Sequence, residues 1–301
     1  RQALDLSQQR VALIDSVQGQ AAVYDFSSAR QPPQMMSFAS AATPHAQPVL
    51  FDDALLLPRN VGEISLLDFK TGGVHAHSFQ PGLGPTERIQ WTRPVLVKNG
   101  RQFVIGNNRN QLFRILLKSG KESLLTKART AELNELVADI DEVKSGALLR
   151  SQLAALDDHV FVVMRGISGD VVLHLDVNNM KPASDPVSLE GRVVWGPKTI
   201  GQSVFVVSAA ENQSLICFQA DGKLRWKSPL QHGALAGPLV VEGSDFLAAS
   251  IRGVVWKIQG NSGEEVSQLR VAEALASGPR LCDGRLLLSG ASGSLYLKEI
   301  P

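Results

Sequence analysis

One phrase recurs along this chain, and it limits the possible folds more than any other feature. It opens on Gly-Pro, runs through a few apolar residues, breaks at a polar turn and resumes as a second apolar run. Its best copies occupy residues 237–250 and 278–290, with a third at 196–208. The same proline opens two earlier copies at Pro48 and Pro94, so the prolines are spaced by 46, 103, 41 and 41 residues. The wide gap holds one further copy, from Leu153 to Met164, without the proline. A repeat of fixed period is the mark of a stacked architecture, and periods near ~40–45 residues suit four-stranded propeller blades.

Each copy continues in the same way. A polar turn and a third strand follow, the strand at 64–67, 111–114, 171–174, 214–217, 254–257 and 294–297. Turns rich in Gly, Asn and Asp come next, at 70–73, 118–121, 177–179, 220–223 and 261–264. These residue types tolerate the positive φ that tight hairpins require. A polar fourth strand closes each unit, as in residues 224–228. A single four-stranded sheet cannot bury both faces. Stacked sheets can, and their inner strands then read as unbroken apolar runs such as Val204 to Val207. A proline at the first position of a strand disturbs no ladder.

The N-terminal stretch supplies another copy, with strands expected at 3–6, 10–15 and 21–25 and a polar segment reaching Phe38. The expectation is therefore an all-β, seven-bladed β-propeller as a single domain over residues 1–301. Its blades fall near 1–39, 46–82, 92–129, 150–190, 196–231, 237–273 and 278–301. Only three residues follow Lys298, so the last blade should lack its outer strand or take it from sequence upstream of Arg1, its edge being open, capped by a neighbouring molecule, or paired with residues 1 to 9. One segment departs from the pattern. Leu133, Leu136, Val137, Ile140 and Val143 recur at a helical period, with Thr130 placed to cap and Glu132 suited to the positive end of the dipole. A short helical insertion is expected over 131–143.

The units resemble the PQQ-like repeat of the quinoprotein-like β-propeller superfamily, and are similar to the propeller of the outer-membrane assembly lipoproteins. Asp68-Phe69-Lys70-Thr71-Gly72 and Ala220-Asp221-Gly222-Lys223-Leu224-Arg225-Trp226 carry the likeness, with the docking tryptophan clear at Trp226. The resemblance implies a propeller fold and a bacterial, extracytoplasmic setting in the periplasm or cell envelope. The superfamily's dehydrogenases hold a quinone beside adjacent cysteines and a calcium ion. Cys217 and Cys282 lie 65 residues apart, so no cofactor is expected here. Both cysteines read as small buried hydrophobes.

Composition narrows the function further. Thirty basic against 29 acidic residues give a net charge of +1, which argues against bulk affinity for nucleic acid. No apolar run nears the ~18 residues that span a bilayer. The chain opens on Arg1 and is read as a piece of a larger exported or membrane-anchored protein, any anchor lying outside this sequence. His75 and His77 share one side of a strand but have no assignable third ligand, so no metal site is expected. The pairs Asp52-Asp53 and Asp157-Asp158 recur at equivalent turns and read as turn chemistry. Gly82 to Thr86 lacks the strand and helix that a dinucleotide fingerprint needs.

What remains is one loop end. Loops between second and third strands carry Arg59 and Asn60, Asn107 to Arg109, Arg165, Asn212 and Arg252. Loops entering the innermost strands carry Trp91 and Arg93, Arg150, Arg192 and Trp195, and His232. Arginine forks bind carboxylates bidentately, and tryptophans supply apolar contact area. The favoured reading is a non-catalytic, protein-binding or scaffolding propeller that meets an anionic protein or peptide through Arg59, Trp91, Arg93, Arg109, Arg165, Trp195 and Arg252. The alternative is an enzyme using the central funnel, either a degenerate quinoprotein dehydrogenase or a propeller lyase or hydrolase.

Overall fold

The computed structural model describes residues 2–7, 10–15, 18–26, 32–37, 46–52, 54–59, 61–68, 71, 73–82, 88–118, 134–144, 149 and 152–301. The chain divides into two compact units. One holds Arg1–Leu149 with Val177–Met180, the other Arg150–Asp176 with Lys181–Pro301. Every described element is a strand, and successive strands pair antiparallel as meanders.

In the first unit, the first sheet is β1 (Gln2–Ser7), β2 (Arg10–Asp15), β3 (Gln20–Asp25) and β4 (Gln34–Ser37), in that order. The second is β5 (Val49–Phe51), β6 (Ala54–Pro58), β7 (Ile64–Asp68) and β8 (Val74–Phe79). The third is β9 (Val95–Val97), β10 (Gln102–Gly106), β11 (Gln111–Lys118) and β12 (Asn134–Lys144). All five residues of β6 are buried, and their faces go to different cores. Leu55 and Leu57 pack with Ala12 and Ile14 of the first sheet, whereas Ala54 and Leu56 pack with Phe103 and Ile105 of the third. That division explains an unbroken apolar run in a strand whose side chains alternate.

The second and third sheets are also joined by their main chains. β12 pairs parallel with β8, Asn134 opposite Ala76 and Glu135 opposite His77, which makes one eight-stranded sheet.

β12 corrects the helix expected at 131–143. Residues 134–143 are strand; 131–133 lie outside the described residues. The helical spacing has a different origin. Val137, Ile140 and Val143 oppose Leu116, Arg114 and Leu112, so positions three apart on β12 face positions two apart on β11. Two register shifts absorb the difference. A bulge places two residues against one, and repeated bulges turn a period of two into a period near three.

In the second unit, the fourth sheet is β13 (Ala154–Leu156), β14 (His159–Arg165), β15 (Asp170–Asp176) and β16 (Lys181–Pro182), with β17 (Val187–Ser188) also on β15. The fifth is β18 (Arg192–Ile200), β19 (Ser203–Ala209), β20 (Gln213–Phe218) and β21 (Leu224–Pro229). The sixth is β22 (Val240–Glu242), β23 (Asp245–Ala249), β24 (Val254–Ile258) and β25 (Glu265–Arg270). The seventh has three strands, β26 (Arg280–Cys282), β27 (Arg285–Ser289) and β28 (Leu295–Lys298), and β28 forms its edge. β1 is paired in the first sheet.

The same two-core logic holds here. Val204 and Val206 of β19 face the fourth sheet's Phe161, while Phe205 and Val207 face the sixth sheet's Phe246 and Ala248. Pro48, Pro94, Pro238 and Pro279 each stand just before an innermost strand, but Pro197 lies inside β18, where the register shifts. Asp52, Asp157 and Asp283 have φ near +50°, at the same hairpin of three sheets. Those aspartates are turn residues.

Candidate functional site

Two hairpins that carry candidate arginines are built by the same device. Asn107 is buried; its Oδ1 accepts from the N–H groups of Arg109 at 2.9 Å and Gln111 at 3.2 Å. Ser250 is buried too, and its Oγ accepts from Arg252 at 3.2 Å and Val254 at 3.3 Å. In both, a short polar side chain satisfies amides two and four residues on, which closes a tight turn and sends the intervening arginine outward. Arg109 and Arg252 are exposed. Arg109 also donates to the Gly82 carbonyl at 3.4 Å.

The remaining candidates of the first unit are less open. Arg59 is half-buried just past β6, with its Nε enclosed and without a hydrogen-bond partner among the described residues. Arg93 is half-buried, and burial pushes its guanidinium pKa down. Trp91 is only 4 % exposed and meets Phe113 edge-on at 5.9 Å. Its contribution is to the core, not to an aromatic rim. Asn60 and Arg150 lie outside the described residues.

In the second unit, Arg165 is exposed at the end of β14, and Ile167 stands fully exposed at the loop tip beyond it. That loop is gripped from one side by Arg192. Its Nη1 donates to the carbonyls of Gly166 and Gly169, both at 3.0 Å, and to Asp170 Oδ1 at 2.8 Å. Asp170 is fully buried and its other oxygen accepts from the Val193 amide at 2.9 Å. A buried carboxylate needs such partners, so Arg192 is a structural clasp. Ile251 is exposed beside Arg252, and Trp195 is half-buried against the core that holds Trp226 and Trp256. His232 is committed to Glu265 at 2.8 Å, its ring 5.1 Å from Trp256, on the wall of a cleft of about 340 Å³.

Sequence reasoning missed the Arg192–Asp170 clasp and the exposed isoleucines. An aspartate opening a third strand, followed 22 residues later by arginine, was the available signal for the first. Of the two cysteines, Cys217 is buried, and burial pushes its thiol up to about 11. Cys282 is exposed, which corrects the expectation that both are buried. It falls on the seventh sheet, whose β26 is exposed throughout. His75 lies 3.6 Å from Asp52 and 3.9 Å from Asp68.

Residues 168–278, all within the second unit apart from the turn at 177–180, match the family model described as "Outer membrane protein assembly factor BamB". No curated protein matches the chain in sequence. Among solved structures, the crystal structure of BamB from Moraxella catarrhalis superposes with a TM-score of 0.57 at 15% identity, covering 97% of this chain and 81% of that one. BBS1N in complex with ARL6DN, in a mercury-soaked crystal, gives 0.56 at 16% identity, covering 97% and 87%. A lead-soaked crystal of the same complex gives 0.59 at 16%, covering 100% and 91%. At these identities the likeness is one of fold.

Proposed function

We propose that this chain, a repeat protein of the quinoprotein-like β-propeller kind, is a non-catalytic binding module that presents its hairpin loops to another protein. The reading takes the seven meanders of residues 1–301 as blades of one propeller. The observation that carries it is the pairing of a projected arginine with an exposed isoleucine on two hairpins of the second unit, Arg165 with Ile167 and Arg252 with Ile251. Solvent-facing isoleucine adds no stability there, whereas an apolar anchor beside a bidentate cation is what an acidic, partly apolar peptide needs. Arg109 is the corresponding group of the first unit, while Arg59, Trp91, Arg93 and Trp195 are half-buried or buried. Support for a protein partner comes from the assembly factor named by the family model and from the BBS1N neighbour, which was crystallised in a complex. An extracytoplasmic location follows the same resemblance.

Photo-crosslinking side chains placed at positions 167 and 251 should yield one common adduct from native cell envelopes. The same groups at Leu224 and Val266, exposed on outer strands, should not. Changing Arg165 and Arg252 together to Ser should abolish the adduct and leave stability within about 0.5 kcal/mol. Equal labelling from all four positions, or an adduct indifferent to the double substitution, would overturn the reading.

A further inference from the structure

Adjacent sheets of the second unit are fastened by a ring nitrogen that reaches into the next sheet's turn. Trp226 of β21 donates from Nε1 to the Gly260 carbonyl at 3.0 Å. The indole lies so close to Gly263, whose φ is +76°, that a Cβ there would sit 2.5 Å from the ring. One joint earlier the arrangement is repeated with a different residue. His174 of β15 places Nε2 3.0 Å from the Ala220 carbonyl, and a Cβ on Gly222, at φ +81°, would sit 2.5 Å from the imidazole. The two turns correspond residue for residue at the acceptor. Gln219 bonds across to Lys223 and Gln259 to Glu264, and the carbonyl used is the next residue in each.

The substitution has a cause in the strand pairing. Phe205, Cys217 and Trp226 lie opposite one another across β19, β20 and β21. In the fourth sheet the same row runs Phe161, His174 and Ala183, whose amide donates to the His174 carbonyl at 2.8 Å. Alanine is too short to reach the next sheet. The histidine one strand further in fills the place instead, only 3 % exposed and 4.9 Å from the Phe161 ring.

We propose that this joint is an acid-sensitive latch: a proton gained by His174 loosens the fourth sheet's hold on the Ala220–Lys223 turn, while the neighbouring Trp226 joint stays shut. The Ala220 carbonyl can only accept, so Nε2 carries a hydrogen in the closed joint. Nδ1, 3.2 Å from Ser184 Oγ, then accepts from that hydroxyl. A second proton would go to Nδ1, and the serine would turn to accept it. The hydrogen bonds therefore survive, and the cost lies in burying a cation.

The groups facing the ring divide. The His159 ring from β14 lies tilted against it at 4.3 Å, with its Nδ1 enclosed and without a hydrogen-bond partner among the described residues. The Ala220 carbonyl, then Asp221 on the turn and Asp176 on β15, favour the cation, but Lys223 sits 3.0 Å from Asp221 and offsets it. Burial, with His159 next, outweighs the Ala220 carbonyl and the carboxylates and holds the imidazole below its usual range. A histidine depressed in the fold binds fewer protons than in the unfolded chain. Its contribution is complete above about pH 6.5 and declines as pH falls from there toward the folded value.

The test compares the two joints in one molecule by amide hydrogen exchange at pH 7.5 and 5.5, corrected for intrinsic rates. Protection of residues 219–223 relative to 259–264 should fall on acidification, by about tenfold for each unit of depression in the range crossed. His174→Gln, which keeps a donor and cannot titrate, should remove that dependence. Should it fail to fold, the imidazole resonance of the unaltered chain gives the same answer through a midpoint below about 6.5. An unchanged protection ratio, a midpoint at or above the usual value, or acid sensitivity retained in a folded His174→Gln chain would each overturn the proposal.

Discussion

Among the described residues, the joints between sheets are of two kinds, one seen in each unit. In the second, side chains do it: Trp226 and His174 each bond a carbonyl in the following sheet's turn and rest on its glycine. In the first, the second and third sheets share a core containing Phe51 and Phe103 and also a main-chain ladder, β8 with β12. A side-chain joint demands particular residues, an aromatic or imidazole on one strand and Gly in one turn. A ladder demands only backbone. The family model matches where the first kind of joint is found.

Trp226→Ala gives the sharpest test of this contrast, and the largest effect. Loss of a buried indole and its bond to Gly260 should cost about 3–5 kcal/mol by denaturant titration. A cost below about 1 kcal/mol would mean that side-chain docking does not hold these sheets.

Arg192→Leu comes next, at about 3 kcal/mol, because it strands the fully buried Asp170 carboxylate without its cation. The loop at 166–169 should then exchange faster than the rest of its sheet.

Val137→Ala bears on the first unit. Alanine suits a helix better than valine does, by up to about 0.7 kcal/mol, but suits a paired strand worse, by up to about 1 kcal/mol. Destabilisation confirms β12 as strand; a gain would restore the helix.

The smallest effect concerns acid. Tyr296 donates to Glu273 at 2.5 Å and the Ser292 amide at 3.2 Å, which pulls that carboxyl from its ordinary value near 4.5 to about 2. A depressed carboxyl contributes above its unfolded pKa and loses that contribution as pH falls through the folded one. The stabilisation should therefore fade between pH about 4.5 and about 2, and Tyr296→Phe should move the loss toward the upper end, as seen by acid unfolding.

Local chemistry made much of the fold readable. Turn aspartates, the glycine turns, the Gly-Pro openings and the all-buried inner strands are short-range features, and Asp52, Asp157 and Val204 to Val207 behave as their residue types imply. β12 was misread because its spacing reflects pairing with β11, a partner that periodicity within one segment does not report. The loop arginines were found by type and place. Type alone could not separate exposed Arg165 from clasping Arg192, since the difference lies in a buried aspartate across a hairpin. His174 stood among six histidines, and its part as a replacement for tryptophan emerges only once the row Phe161, His174 and Ala183 is aligned with its neighbour.

The ladder between β8 and β12 carries a consequence for how repeats of this chain can be exchanged. A repeat array is nearly one-dimensional, its stability a sum of units and nearest-neighbour couplings, so modules can be grafted or duplicated where coupling rests on a few side chains. At the second and third repeats the coupling runs through the main chain and covers two strand edges at once. Those repeats should melt in a single step and tolerate transplantation only as a pair.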